Sequence, residues 1–141
     1  MFYLEGFEDR LLDWNNFRKC LIYKDNSLQL ITDYYNIADL HSSIYKPWSK
    51  ESWPSPWELI NDNHYCVFSI LLGIGYTYLL AFPNQSNLYL HFYKNSKNST
   101  TDFILQVNEN YVLNGEQNLM IIKEIPEYQH LLKTEPLINL N

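Results

Sequence analysis

The stretch Tyr65-Cys66-Val67-Phe68-Ser69-Ile70-Leu71-Leu72-Gly73-Ile74-Gly75-Tyr76-Thr77-Tyr78-Leu79-Leu80-Ala81-Phe82 decides how this chain is read. It carries no charged side chain, and it reaches the length of a membrane-spanning helix, about 18 apolar residues. Ser69, Gly73, Gly75 and Thr77 interrupt the run and no Lys or Arg flanks it, so a buried interior segment is expected in place of a span. Its two halves differ in character. Residues 67–72 suit a helix, whereas 76–82 are rich in strand formers. The pattern predicts a helix capped by Asp62 and Asn63, with Cys66 in its first turn, stopping at Gly73-Ile74-Gly75 and followed by a buried strand.

Upstream, Leu11, Trp14, Phe17 and Leu21 fall at helical spacing. Asp25-Asn26-Ser27 breaks and caps, and Leu28, Ile31, Tyr34 and Tyr35 form a second amphipathic stripe. Residues 41–57 read as a loop, because the prolines of Lys46-Pro47-Trp48 and Ser52-Trp53-Pro54-Ser55-Pro56-Trp57 exclude helix interiors and central strands. Ser55-Pro56-Trp57-Glu58 is a capping box with proline at the first helical position, which predicts a short helix to about Asn61.

Downstream, strands are predicted over 88–94, 103–107, 111–113 and 119–123, separated by Asn-rich turns, with a helical turn or two over 127–133. Helices followed by a meander make an α+β fold, with N-terminal helices packed on a C-terminal antiparallel sheet, in a single domain over 1–141. Trp14, Phe17, Leu28, Ile31, Phe68, Leu71, Leu79, Leu90 and Ile104 are the expected core.

The net charge of −6 and the scattered cations leave no basic stripe, so nucleic acid is not an expected partner, and neither is a membrane. Two cysteines, Cys20 and Cys66, make no disulfide framework, and the N-terminus shows no basic and apolar leader, so a reducing, non-secreted location is expected. The four histidines and two cysteines show no metal-binding spacing, and no phosphate-cradling or dinucleotide motif is present. No metal and no cofactor are expected.

Cys66 is the one residue whose position suggests chemistry. In the first turn of a helix, unpaired amides and the helix dipole stabilise a thiolate. A thiol enzyme also needs an imidazole, and a further polar group to orient it. His91, followed by Asp102 and Asn114 at strand edges, stands in the right chain order. Residues 55–115 thereby resemble the transglutaminase-like, papain-type cysteine fold. The likeness rests on Tyr65-Cys66-Val67-Phe68, the break Leu72-Gly73-Ile74-Gly75-Tyr76, the segment Leu90-His91-Phe92-Tyr93, and Tyr111-Val112-Leu113-Asn114-Gly115. The resemblance implies a hydrolase or acyltransferase with Cys66 as nucleophile, His91 as base and Asp102 or Asn114 orienting it. The chain departs from that pattern at His64-Tyr65 before the cysteine, at Val67 after it, and in the midstrand place of His91. The alternative is structural: Cys66, Ile70 and Gly73 share one helical face, as core residues do.

Two further features point to protein contacts. Trp48, Trp53 and Trp57 on a proline-stiffened loop either pin that loop to the core or dock a partner. The tail after Thr134, with Leu137 and Ile138, has too little apolar surface to fold alone and is expected to meet other chains. With the Asn, Ile, Lys and Tyr usage of an AT-rich coding sequence, the leading reading is a small structural component of a large particle. A tailed-phage virion protein, in the virion or the host cytoplasm and without enzymatic activity, fits that reading. The alternatives are a thiol hydrolase or acyltransferase using Cys66, and a cytosolic binding module using the Trp/Pro loop.

Overall fold

The computed structural model describes residues 1–84, 87–115 and 118–137. Helices α1 (Phe7–Leu21), α2 (Ser27–Tyr35), α3 (Pro56–Asp62) and α4 (Val67–Ala81) precede strands β1 (Leu88–Asn95), β2 (Thr100–Val107), β3 (Asn110–Asn114), β4 (Leu119–Ile122) and β5 (Gln129–Pro136). All strand pairs are antiparallel, in the order β4-β3-β2-β1-β5. The α+β architecture is as expected, with the helices on one face of the sheet. Among the described residues no helix is long and apolar enough to cross a membrane.

The largest departure from expectation is α4. It runs through Gly73-Ile74-Gly75 to Ala81, so the strand expected over 76–82 is helix. Local propensity loses here to burial. A Cβ on Gly73 would lie 2.6 Å from the Tyr35 ring, and one on Gly75 would lie 2.7 Å from Leu137 Cδ1. The two glycines are therefore contact surfaces for a buried helix, which they do not break. Thr77 fits the helix by donating its hydroxyl to the Gly73 carbonyl at 2.7 Å. Its oxygen also accepts from Trp14 Nε1 at 2.9 Å, which ties α1 to α4.

The second departure is at the C-terminus. Residues expected to turn as helix over 127–133 form β5, paired along β1 from Gln129↔Asn95 to Pro136↔Tyr89. Thr134 and Pro136, expected to lie in an unsupported tail, thus belong to the sheet. The remaining boundaries lie within a few residues of the sequence reading. The capping box is formed: the Ser55 hydroxyl accepts the Glu58 amide at 3.2 Å and the Glu58 carboxylate accepts the Ser55 amide at 3.1 Å.

One cluster between helices and sheet holds Ile31, Phe68, Leu71, Leu79 and Leu90, with Phe17 and Leu28 packed against its edge. Trp14 is also buried. Ile104 is fully buried, but it pairs with His91 and so points to the opposite face of the sheet. Arg10 clasps the N-terminal segment to α3 through hydrogen bonds to the carbonyls of Leu4, Glu5, Ile60 and Asn61. That guanidinium meets the carbonyl-rich C-terminus of α3, where a cation is stabilised.

Several tyrosines bind the helices together with their hydroxyls inside. Burial pushes the Tyr35 phenol up to about 12, against weaker opposite effects of its bonded neighbours. Burial also raises Tyr34, Tyr65 and Tyr76 well above the ordinary phenol range. A raised folded value favours the neutral phenol, so this stabilisation is complete below pH ~10 and is lost as pH rises above it. Alkaline titration followed at the phenolate absorbance should show these tyrosines silent until the chain unfolds, in one cooperative step. Independent ionisation of all twelve near pH ~10 would contradict the packing.

Candidate active site

Cys66 is the N-cap of α4, in extended conformation, and is 5% exposed. Its amide donates to Ser69 Oγ at 2.9 Å, and its sulfur lies 3.4 Å from the same hydroxyl. The thiol therefore sits at the positive end of a long buried helix, as its N-cap and one position before the expected first turn, while Asp62 and Asn63, expected to cap this helix, end α3 instead. Nearby, the Tyr45 hydroxyl donates to Asp62 at 2.8 Å. Burial and then the Asp62 contact raise that phenol well above the ordinary range.

No imidazole meets this sulfur among the interactions of the described residues. Leu88, Leu90 and Phe92 of β1 point to the helices, so His91 points away from them, among the rings of Tyr89, Tyr93 and Tyr111. It is 8% exposed with both nitrogens engaged, Nδ1 to Thr134 Oγ1 at 2.7 Å and Nε2 to Gln106 Oε1 at 2.8 Å. The Gln106 amide is oriented by donating from its nitrogen to the Asn108 carbonyl at 3.0 Å, so its oxygen must face His91. A neutral His91 then donates from Nε2 and accepts the Thr134 hydroxyl at Nδ1. It has no free lone pair for a thiol proton.

Asp102 shares that outer face, opposite Tyr93. Its carboxylate accepts from Asn95 at 3.0 Å, Gln129 at 2.7 Å and Thr100 at 3.1 Å, and no bond joins it to His91. Asp102 and Asn114 do line one groove with Val67, Thr101, Phe103 and Leu113, about 290 Å³ in volume, beside the start of α4. The inward-facing β2 residues there are Thr101 and Phe103, with the Phe103 ring 5.6 Å from Phe68. Neither of these two inward side chains is a base. The arrangement thus brings Asp102 and Asn114 near the helix start but leaves Cys66 and His91 on opposite sides of the sheet.

Two other histidines lie closer in the chain. His64 binds the Ser42 carbonyl through Nε2 at 2.8 Å and stacks on His41 with ring centroids 5.0 Å apart. The sequence carried no signal for this pair, because the parallel bridge Leu40↔Tyr65 that aligns them is tertiary. No three His, Cys, Asp or Glu side chains among the described residues group as metal ligands.

The tryptophan loop is anchored at each ring. Trp53 donates to the Pro47 carbonyl at 2.8 Å and meets Phe68 edge-on, while Trp48 stacks on Phe92 and Trp57 meets Trp14. Trp48 and Trp57 nonetheless keep about half of their surface exposed. Leu137 is buried at 4% exposure, its amide donating to the Leu88 carbonyl at 3.0 Å, and Ile138 lies outside the described residues.

No family model and no curated protein matches this sequence. Among solved structures, calcium-bound LapG of Legionella pneumophila aligns with a TM-score of 0.56, over 95% of this chain and 75% of that one, at 17% identity. That likeness is consistent with a transglutaminase-like fold. At this identity the likeness concerns the path of the backbone, and the chemistry must be argued from the residues themselves.

Proposed function

We propose that this chain is a transglutaminase-like domain that acts through protein contacts and not through thiol catalysis. The observation carrying this reading is the placement of His91, turned away from α4 with both ring nitrogens occupied. A nucleophilic thiolate needs a proton acceptor within hydrogen-bond reach, and Ser69, the hydroxyl beside Cys66, is not a base. The half-exposed rings of Trp48, on the anchored loop, and Trp57, in the first turn of α3, supply rigid aromatic surface of the kind that interfaces use. The virion reading has no observation of its own in the fold, and the proposal is accordingly narrowed to a protein-contact domain.

The thiol hydrolase remains a second reading, favoured by Cys66 at the head of α4 within this fold. Alkylation separates the two. Iodoacetamide at neutral pH should label exposed Cys20 in the folded protein and reach buried Cys66 only after denaturation. Rapid labelling of Cys66 in the folded chain, slowed by replacing His64 or His41, would establish an activated thiol instead.

A further inference from the structure

The two edges of the sheet are finished differently. At one edge β4 has only four residues, and the amide of Leu119 is taken by the Asn36 side chain at 3.1 Å. Such an edge is short and covered. At the other edge β5 offers eight residues, regular from Lys133 to Pro136 beyond a bulge where it passes Phe92 and Tyr93 of β1. The Leu137 amide turns toward β1, so the alternation of an antiparallel ladder turns the amide and carbonyl of Thr134 outward. Among the described residues, the outward backbone of β5 has one partner, Lys50 Nζ on the Pro136 carbonyl at 2.7 Å. Leu131 and Leu132 on this strand are 57% and 52% exposed.

We propose that β5 is a self-association edge, pairing antiparallel with β5 of a second copy about a two-fold axis at Thr134. The charges argue for this occupant. Antiparallel pairing centred on Thr134 sets Lys133 of each copy opposite Glu135 of the other, on the helix-side face. A lone inward lysine would block an edge. Here Glu135 neutralises it within the chain, at 3.1 Å from Lys133 and 3.6 Å from Lys50. The two-fold repeats the complement, so each carboxylate gains a second ladder partner and no like charges face one another. The two Thr134 residues would exchange amide-to-carbonyl bonds across the axis. This surface deepens the proposed contact function without depending on Cys66 being inert.

Light scattering of the full chain over a wide concentration range provides the test. The wild type should pass from monomer to dimer. Lys133→Glu and Glu135→Lys alone each place like charges across the axis, and each should weaken dimerisation by about tenfold or more. An equimolar mixture of the two variants should form a heterodimer, and the double variant should dimerise again. Circular dichroism of each variant confirms that the monomer is folded. A wild type that is monomeric throughout, single variants that dimerise normally, or a double variant that stays monomeric would each overturn the proposal.

Discussion

Replacing Phe68 by alanine is expected to cost about 3–5 kcal/mol of folding stability. The side chain is 1% exposed, with Trp53 edge-on at 5.4 Å on one side and Phe103 at 5.6 Å on the other. It therefore joins three layers at once: the tryptophan loop, α4 and the sheet. Alanine removes the transfer energy of an aromatic ring and leaves a void that neither neighbour can readily fill. Trp53 is fixed through its bond to Pro47, and Phe103 also meets Phe92. Urea unfolding should show a reduced midpoint with an unchanged slope. A loss below about 1 kcal/mol would mean that the loop does not share the core of the helices and sheet.

Leu137→Ala is expected to cost about 2–5 kcal/mol, against an effect within about 0.5 kcal/mol for Leu12→Ala on the solvent side of α1. The reason lies on Gly75, where a missing side chain leaves a site that Leu137 Cδ1 fills, beside Leu105 and Leu88. This reverses the expectation drawn from the tail read as an isolated peptide. Thermal or urea unfolding of the two variants side by side would show it. A Leu137 variant as stable as the Leu12 variant would restore the tail to a role outside the core.

The legible parts of the sequence were those encoded within a few residues. Ser55-Pro56-Trp57-Glu58 announces its helix because cap, proline and glutamate satisfy neighbouring amides, and the structure forms that box. The Asn-rich turns mark the strand ends for the same local reason, and β1 to β4 lie close to where they were expected. Cys66 at a helix start was also legible, since the apolar run after it is contiguous, although the cap is Cys66 itself and not Asp62 or Asn63. The partner of that cysteine was not. Chain order allowed His91, but a strand's side chains alternate between faces, and only the sheet's packing decides which face meets the helices.

By itself, then, the sequence determined an α+β chain with a helix-led start, a meander, a capped α3 and a cysteine at the head of a buried helix. Tertiary structure decided the rest. It kept residues 76–81 helical, because full burial against Tyr35, Leu105 and Leu137 outweighs the strand preference of Tyr, Thr and Leu. It drew residues 129–136 into β5, because the open edge of β1 offers a ladder that no local signal encodes. And it turned His91 away from Cys66, because Leu90 and Phe92 gain more by facing the helices than one imidazole could by joining them.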